Sequence, residues 1–252
     1  MIADGLGKLL PPSAGFLEEL HRLGEDPSTL VPLGILEFTC GVLYVIPRTS
    51  ILGAILLTGF LGGAEALQTR VSGSGAFLIM LPLLLGLLAW GGIWLRDERL
   101  RNLIPLRTFS PRGSQASNAW MLRIGWVLTG LSAANMMGDS LGKFSPPALL
   151  LEEFHRLGES QSTLIPLGLL QFTVGLVYLI PQTSILGAIL LTGFLGGAEA
   201  LQTRVSGSGA FLIMLPLLLG LLAWSGIWLR DERLRNLIPL RAAPVSRETR
   251  GD

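Results

Sequence analysis

Apolar positions in this chain come in long, nearly unbroken runs rather than in alternating or striped patterns. Residues 30–46, 49–69 and 76–95 each approach the roughly 20 apolar residues that a helix needs to cross a bilayer. Prolines sit near their edges: Pro32 opens the first run, where a missing N–H costs little, and Pro47 ends it. Pro82 falls one to two turns into the third run. Ahead of these runs, residues 13–24 predict a short amphipathic helix. Phe16, Leu17, Leu20 and Leu23 share one face, Glu18, Glu19 and Arg22 the other, and Gly24 can end it. It is too short and too charged to span, so its expected place is the membrane surface. After the third run, residues 96–107 put Leu100, Leu103 and Ile104 on one side between arginines, which predicts an interfacial helix meeting lipid headgroups.

The whole pattern then recurs. Thr49 to Arg107 reappears as Thr183 to Arg241, with Gly91 against Ser225 as the only mismatch. A second surface helix is expected over 148–158, and further spans over 164–180, 183–203 and 210–229. Residues 120–138 add one span that has no counterpart in the first copy. Met1–Lys8 matches Met136–Lys143, the tail of that added span. The expected fold is therefore all-α, a polytopic membrane helical bundle of two tandem repeats with about seven transmembrane helices. Residues 1–107 form a truncated first repeat, 108–119 a polar linker, 120–241 a complete second repeat and 242–252 a tail. Two accounts of the truncation present themselves. Either an upstream start supplies the absent helix, or the 120–138 helix serves both halves.

Composition agrees: half of the residues are apolar, 15% are charged and glycine is abundant. A formal charge of +1 gives no reason to expect a nucleic-acid partner. Cys40 is the only cysteine, which excludes an intrachain disulfide and any Cys-based zinc or iron–sulfur site within one chain. Residues 1–12 lack the long apolar core of a cleavable secretory signal. Arginines cluster after the third span and after the last. The positive-inside rule places both regions, and the C-terminus, in the cytoplasm, with the two copies oriented alike.

Few residues could carry chemistry. Gly59 and Gly63, with Gly62 beside them, form a small-residue face repeated as Gly193, Gly196 and Gly197; close helix packing is the plain reading and a ligand niche the other. Glu65 and Glu199 lie within apolar helices, and such carboxylates must face protein or water. With Gln68 and Arg70, and Gln202 and Arg204, they are expected to form one polar cluster at each outer mouth. The competing reading is a carboxylate reaching water or paired with its neighbouring arginine. Glu37 sits deeper, with Cys40, Gly41 and Tyr44 on its face, and its mate is Gln171. Its expected state is protonated, or a neutral hydrogen-bonding group between helices. Glu18-x-x-His21 and Glu152-x-x-His155 match a di-iron spacing, but the facing carboxylates such sites need are missing, and a solvated polar face accounts for them. No phosphate loop, serine nucleophile motif or zinc signature is present, so no catalytic residue and no metal site is expected.

The run Leu-Tyr-Val-Ile-Pro (43–47), the run Leu-Gly-Ala-Ile-Leu-Leu-Thr-Gly-Phe-Leu-Gly-Gly-Ala (52–64) and the exit Trp-Gly-Gly-Ile-Trp-Leu-Arg-Asp-Glu-Arg-Leu-Arg (90–101) closely resemble the DoxX-like family. The resemblance covers nearly all of both copies. It implies a four-helix bundle in a bacterial cell (inner) membrane. The family's namesake is a subunit of a thiosulfate:quinone oxidoreductase. The function implied is an accessory or anchoring subunit of a membrane redox system, with a quinone as the cofactor to consider. Its partners would be the lipid bilayer and a membrane or peripheral redox protein. At most, the chain would be one subunit of an oxidoreductase. Members often carry a histidine two residues before the arginine that matches Arg70; Gln68 and Gln202 stand there, so no haem, metal or proton role carries over. Two other readings remain. One is a solute pathway, since parallel repeats of three spans joined by one also resemble the SWEET sugar transporters, and Pro181-Gln182 resembles their Pro-Gln loop. The other is a structural membrane protein without chemistry of its own.

Overall fold

A computed structural model describes residues 1–71, 76–104, 119–205 and 210–238. Among these, the secondary structure is helical throughout. In the first copy, a short α1 (Ile2–Gly7) and the surface helix α2 (Ala14–Leu23) precede three long helices, α3 (Leu30–Val45), α4 (Ser50–Arg70) and α5 (Ala76–Arg96). A one-turn helix, α6 (Glu98–Arg101), follows. The second copy consists of α7 (Ala119–Phe144), α8 (Ala148–Leu157), α9 (Leu164–Leu179), α10 (Ser184–Arg204), α11 (Ala210–Arg230) and α12 (Glu232–Arg235).

Local sequence sets the ends of the surface helices. Ser13 caps α2 by accepting from the Phe16 N–H, and Gly24 ends it at φ 74°, a left-handed conformation that glycine adopts without penalty. Gly158 ends α8 in the same way, at φ 75°.

Among the described residues, six helices are long and apolar enough to cross a membrane: Pro27–Val45, Ser50–Arg70, Ala76–Arg96 and their three repeat mates. The chain is thus a multi-pass helical membrane protein. Leu83, Leu84, Leu87 and Leu88 on α5 stay exposed, as lipid-facing residues do. The expected seventh span, α7, has ample length at 26 residues. It is less apolar because it carries small polar residues on its inner face. Thr129, Ser132 and Ser140 are almost fully buried, against α9 and α11, the two long helices it packs on. Each hydroxyl also bonds a carbonyl of its own helix.

In the second copy, α7, α9, α10 and α11 form a closed four-helix bundle. In the first, α1 covers only one end of α3, leaving the side between α3 and α5 open. The idea that one helix serves both halves is not what the structure shows, because α7 packs on α9 and α11 of the second copy and makes no comparably extensive contact with the first among the described residues. The interfacial helix expected over 96–107 is also revised: residues 105–107 lie outside the described residues, and only Glu98–Arg101 is helical. Leu100 and Leu103 are each 2% exposed. They therefore dock into the bundle rather than meet lipid, and Asp97 caps the turn by accepting from the Arg99 N–H.

The two copies join along α4 and α10, the most extensive helix contact in the molecule. A Cβ on Gly62 would overlap the carbonyl of Gly193, and one on Gly196 would overlap that of Gly59. Gly63 and Gly197 lie against Ala200 and Ala66, each 3.2 Å from a Cβ placed on the glycine. The contacts climb both helices in the same direction, so the halves are parallel and related by an approximate two-fold axis along the helices. The small-residue face read from the sequence is this joint. Its tightest points are Gly59-x-x-Gly62 and Gly193-x-x-Gly196, one residue offset from the Gly-x-x-x-Gly pairs.

Candidate functional site

Glu65, Gln68 and Arg70 do not form one cluster, nor do Glu199, Gln202 and Arg204. The glutamine and the arginine of each set turn to different neighbours, and the glutamate to neither of them. Gln68 turns to the surface helix: its Oε1 accepts from Arg22 at 3.1 Å and its amide donates to Glu19 at 3.4 Å. Arg22 in turn holds Glu19 at 2.5 Å. Gln202, Arg156 and Glu153 repeat this triad. Arg22 keeps the Glu19 carboxyl below the ordinary carboxylate range against the opposing effect of burial, and Arg156 does the same for Glu153. These triads tie the end of each axial helix to its surface helix. Glu18, His21, Glu152 and His155 stand exposed, and no group of three His, Cys, Asp or Glu able to hold a metal occurs among the described residues.

Arg70 and Arg204 meet at the two-fold axis. Arg70 donates to the Leu23 carbonyl at 2.9 Å, and Arg204 to the Leu157 carbonyl at 2.7 Å. Guanidinium nitrogens of both arginines lie within 3.5 Å of where a Cβ on Gly24 or on Gly158 would sit. A side chain there would crowd the guanidinium groups, and the left-handed φ of both positions already favours glycine. Glu25 and Glu159 face this pair of like charges. Burial pushes their carboxyl pKa values up, while the two arginines pull the other way.

Glu37, Lys8 and Asp4 form a second polar group. Glu37 is 1% exposed, and its carboxylate pairs directly with the Lys8 ammonium. Lys8 also reaches Asp4 at 2.7 Å. In the second copy, Lys143 donates to Gln171 at 2.7 Å and pairs with Asp139 at 2.5 Å, while the Gln171 amide donates to Asp139 at 2.7 Å. Glu37 is thus not alone between the helices: its carboxyl lies against the Lys8 side chain, which also reaches Asp4. Cys40 and Gly41 are buried beside it, but Tyr44 is only half-buried. The partners that sequence reasoning missed, Asp4 and Lys8, lie in the stretch that matches Asp139 and Lys143; both charges persist in both copies.

Glu65 and Glu199 are left. Each has an Oε2 atom shielded from solvent and without a hydrogen-bond partner among the described residues. Glu199 borders a crevice of about 900 Å³ where the first copy's α3 and α4 meet the second copy's α10 and α11. Its walls are mostly apolar and include Leu33, Ile55, Phe60, Leu195 and Leu217. Glu19 and Gln68 border it too, as do Trp224 and Ser225. Trp224 donates its indole N–H to Thr192 at 2.8 Å, which fixes the ring. Ser225 is the one residue by which the two long repeats differ.

These features define a polytopic helical membrane protein built from two fused copies of one bundle. A family model matches it twice, over residues 1–92 and 127–226, and the chain belongs to the DoxX-like family. No curated protein and no solved structure matches it.

Proposed function

We propose that the chain is an accessory, anchoring subunit of a membrane redox system and that it holds a lipophilic quinone in the crevice between its halves. The observation that carries this reading is the crevice itself. Its volume of about 900 Å³ is that of a small-molecule site. A quinone brings an apolar ring and tail for the leucine walls, and two carbonyl acceptors. The Ser225 hydroxyl is a donor at the crevice wall, and Trp224 offers a ring held in place for stacking. Among the described residues that line it, none is hydrogen-bonded as a nucleophile to a base, and the chain's contribution on this reading is to bind and position.

The reading extends to placement. Arg96, Arg99 and Arg101 lie at the same end of the bundle as Arg230, Arg233 and Arg235. The positive-inside rule assigns that end to the cytoplasm of a bacterial cell membrane.

The test is a titration of the full chain in nanodiscs with a short-chain quinone, read by quenching of tryptophan fluorescence. Saturable quenching is expected, and Gly220→Phe, which fills the crevice, should abolish it. Quenching that does not saturate, or that survives Gly220→Phe, would remove the quinone from the reading. The parallel halves are also a feature of solute pathways made of parallel repeats. Solute uptake by proteoliposomes would count for that function instead.

A further inference from the structure

The close joint between α4 and α10 brings the ends of the two helices together, and each helix ends in an arginine. Arg70 donates to the carbonyl of Leu23, the last residue of α2, and Arg204 to that of Leu157, the last residue of α8. Each thereby completes the negative end of a surface helix. That contact spends one of the five N–H donors a guanidinium carries. Neither guanidinium makes another hydrogen bond or an ion pair among the described residues, and the Nε of each is shielded from solvent without a partner.

The two groups also stand side by side. The point where a Cβ on Gly24 would lie is 3.1 Å from a terminal guanidinium nitrogen of Arg204 and 3.4 Å from one of Arg70. The matching point at Gly158 is 3.0 Å from Arg70 and 3.5 Å from Arg204. Both glycines are exposed, so solutes can reach this place. Glu25 and Glu159 act on both arginines through space, without an ion-pair contact among the described residues. Two half-buried like charges with most of their donors unspent are costly to hold together unless an anion joins them.

We propose that Arg70 and Arg204 together form a binding site for a phosphate group on the two-fold axis, at the end of the molecule that carries the surface helices. The shape of the donors selects this ligand. A guanidinium is a flat fork matched to the oxygens of a carboxylate or a phosphate. A carboxylate has two oxygens in one plane and serves one fork. A tetrahedral phosphate presents oxygens to both sides of an axis, so it serves two forks related by that axis. A phosphate diester still has two free oxygens, one for each arginine. The crevice between the halves reaches this point, because Leu23, Glu25 and Thr203 border it. The phosphate can therefore be free, or belong to a phospholipid whose tail lies along the apolar walls. The site stands on the arginines and not on the quinone reading.

The test is a calorimetric titration of the full chain with inorganic phosphate, in a neutral sugar detergent stripped of lipid, against sodium chloride at equal ionic strength. Saturable binding of a single phosphate is expected, and none of chloride. Arg70→Gln/Arg204→Gln should abolish it, with gel filtration to confirm the fold. Glu25→Gln/Glu159→Gln keeps the arginines and removes two repelling charges. It should tighten binding by about threefold or more, the effect of a unit charge a few ångström away in water. Added phosphatidylglycerol separates the two sources. A lipid headgroup is the ligand if the lipid blocks phosphate binding and native mass spectrometry finds it retained by the wild type but not by the arginine variant. Free phosphate is the ligand if binding persists. Absence of both phosphate binding and a retained phospholipid overturns the proposal, as does a phosphate affinity equal in the wild type and either double variant.

Discussion

Replacing Lys8 should harm this protein far more than replacing its partner Glu37. Lys8→Met removes the ammonium and leaves a carboxylate that is 1% exposed. Breaking a buried ion pair from one side costs about 3–5 kcal/mol. The Lys8 side chain keeps 15% of its exposure, so the low end, about 3 kcal/mol, applies. That is roughly a hundredfold in the folding equilibrium. Glu37→Gln instead recreates the second copy's arrangement, in which Gln171 accepts from Lys143 and donates to Asp139. Its cost should stay within about 1 kcal/mol, the net worth of a typical hydrogen bond. The assay is reversible unfolding in mixed micelles for wild type, both single variants and the double variant. In the double variant, Glu37→Gln should rescue most of the Lys8→Met loss, giving a coupling of about 2 kcal/mol or more. Additive losses, or a Lys8→Met chain as stable as Glu37→Gln, would show that the pair does not hold α1 to α3.

Three further outcomes are expected. Gly62→Leu drives a side chain into the Gly193 backbone and should cost about 2 kcal/mol or more, whereas Gly130→Leu, with nothing within 4 Å of its Cβ, should be neutral in the same assay. Burial raises the Glu25 and Glu159 pKa values above the ordinary 4.5, so the native state holds more protons than the unfolded chain there. Stability should fall as pH rises from that value through the folded pKa values, and melts between about pH 4 and pH 7 should show a smaller fall in the Glu25→Gln/Glu159→Gln variant; equal falls would refute the assignment. In a Cys40→Ala background, a membrane-impermeant thiol reagent should reach Ser28→Cys from outside intact cells and fail to reach Asn102→Cys; the reverse pattern would invert the topology.

What could be read from the residues alone, and what could not, follows from the range of the interactions. The spans and the repeat were legible because they rest on local hydropathy and on self-similarity. The joint at Gly59, Gly62, Gly193 and Gly196 was legible as a small-residue face, but which face met which was not, since that depends on how two distant helices cross. Glu37 announced itself as a buried carboxylate. Lys8 did not announce itself as its partner, although an Asp and a Lys spaced four residues apart stand at matching places in both copies. The Arg70–Arg204 meeting was hidden for the same reason: each arginine reads as a rim residue until the axis brings the two together. Leu100 and Leu103 were misplaced because an apolar side between arginines looks the same whether it meets lipid or protein.

The glycine joint has a consequence for how the molecule can change. Gly59 meets Gly196 and Gly62 meets Gly193, the reciprocal pattern of a symmetric homodimer. In a true homodimer every substitution appears on both sides of the axis at once. Here the sides are separately encoded, so each can change alone. Ser225 faces the crevice while Gly91 stays, and Gln171 stands in one bundle while Glu37 stands in the other. A reciprocal contact carried within one chain thus has two independently mutable faces.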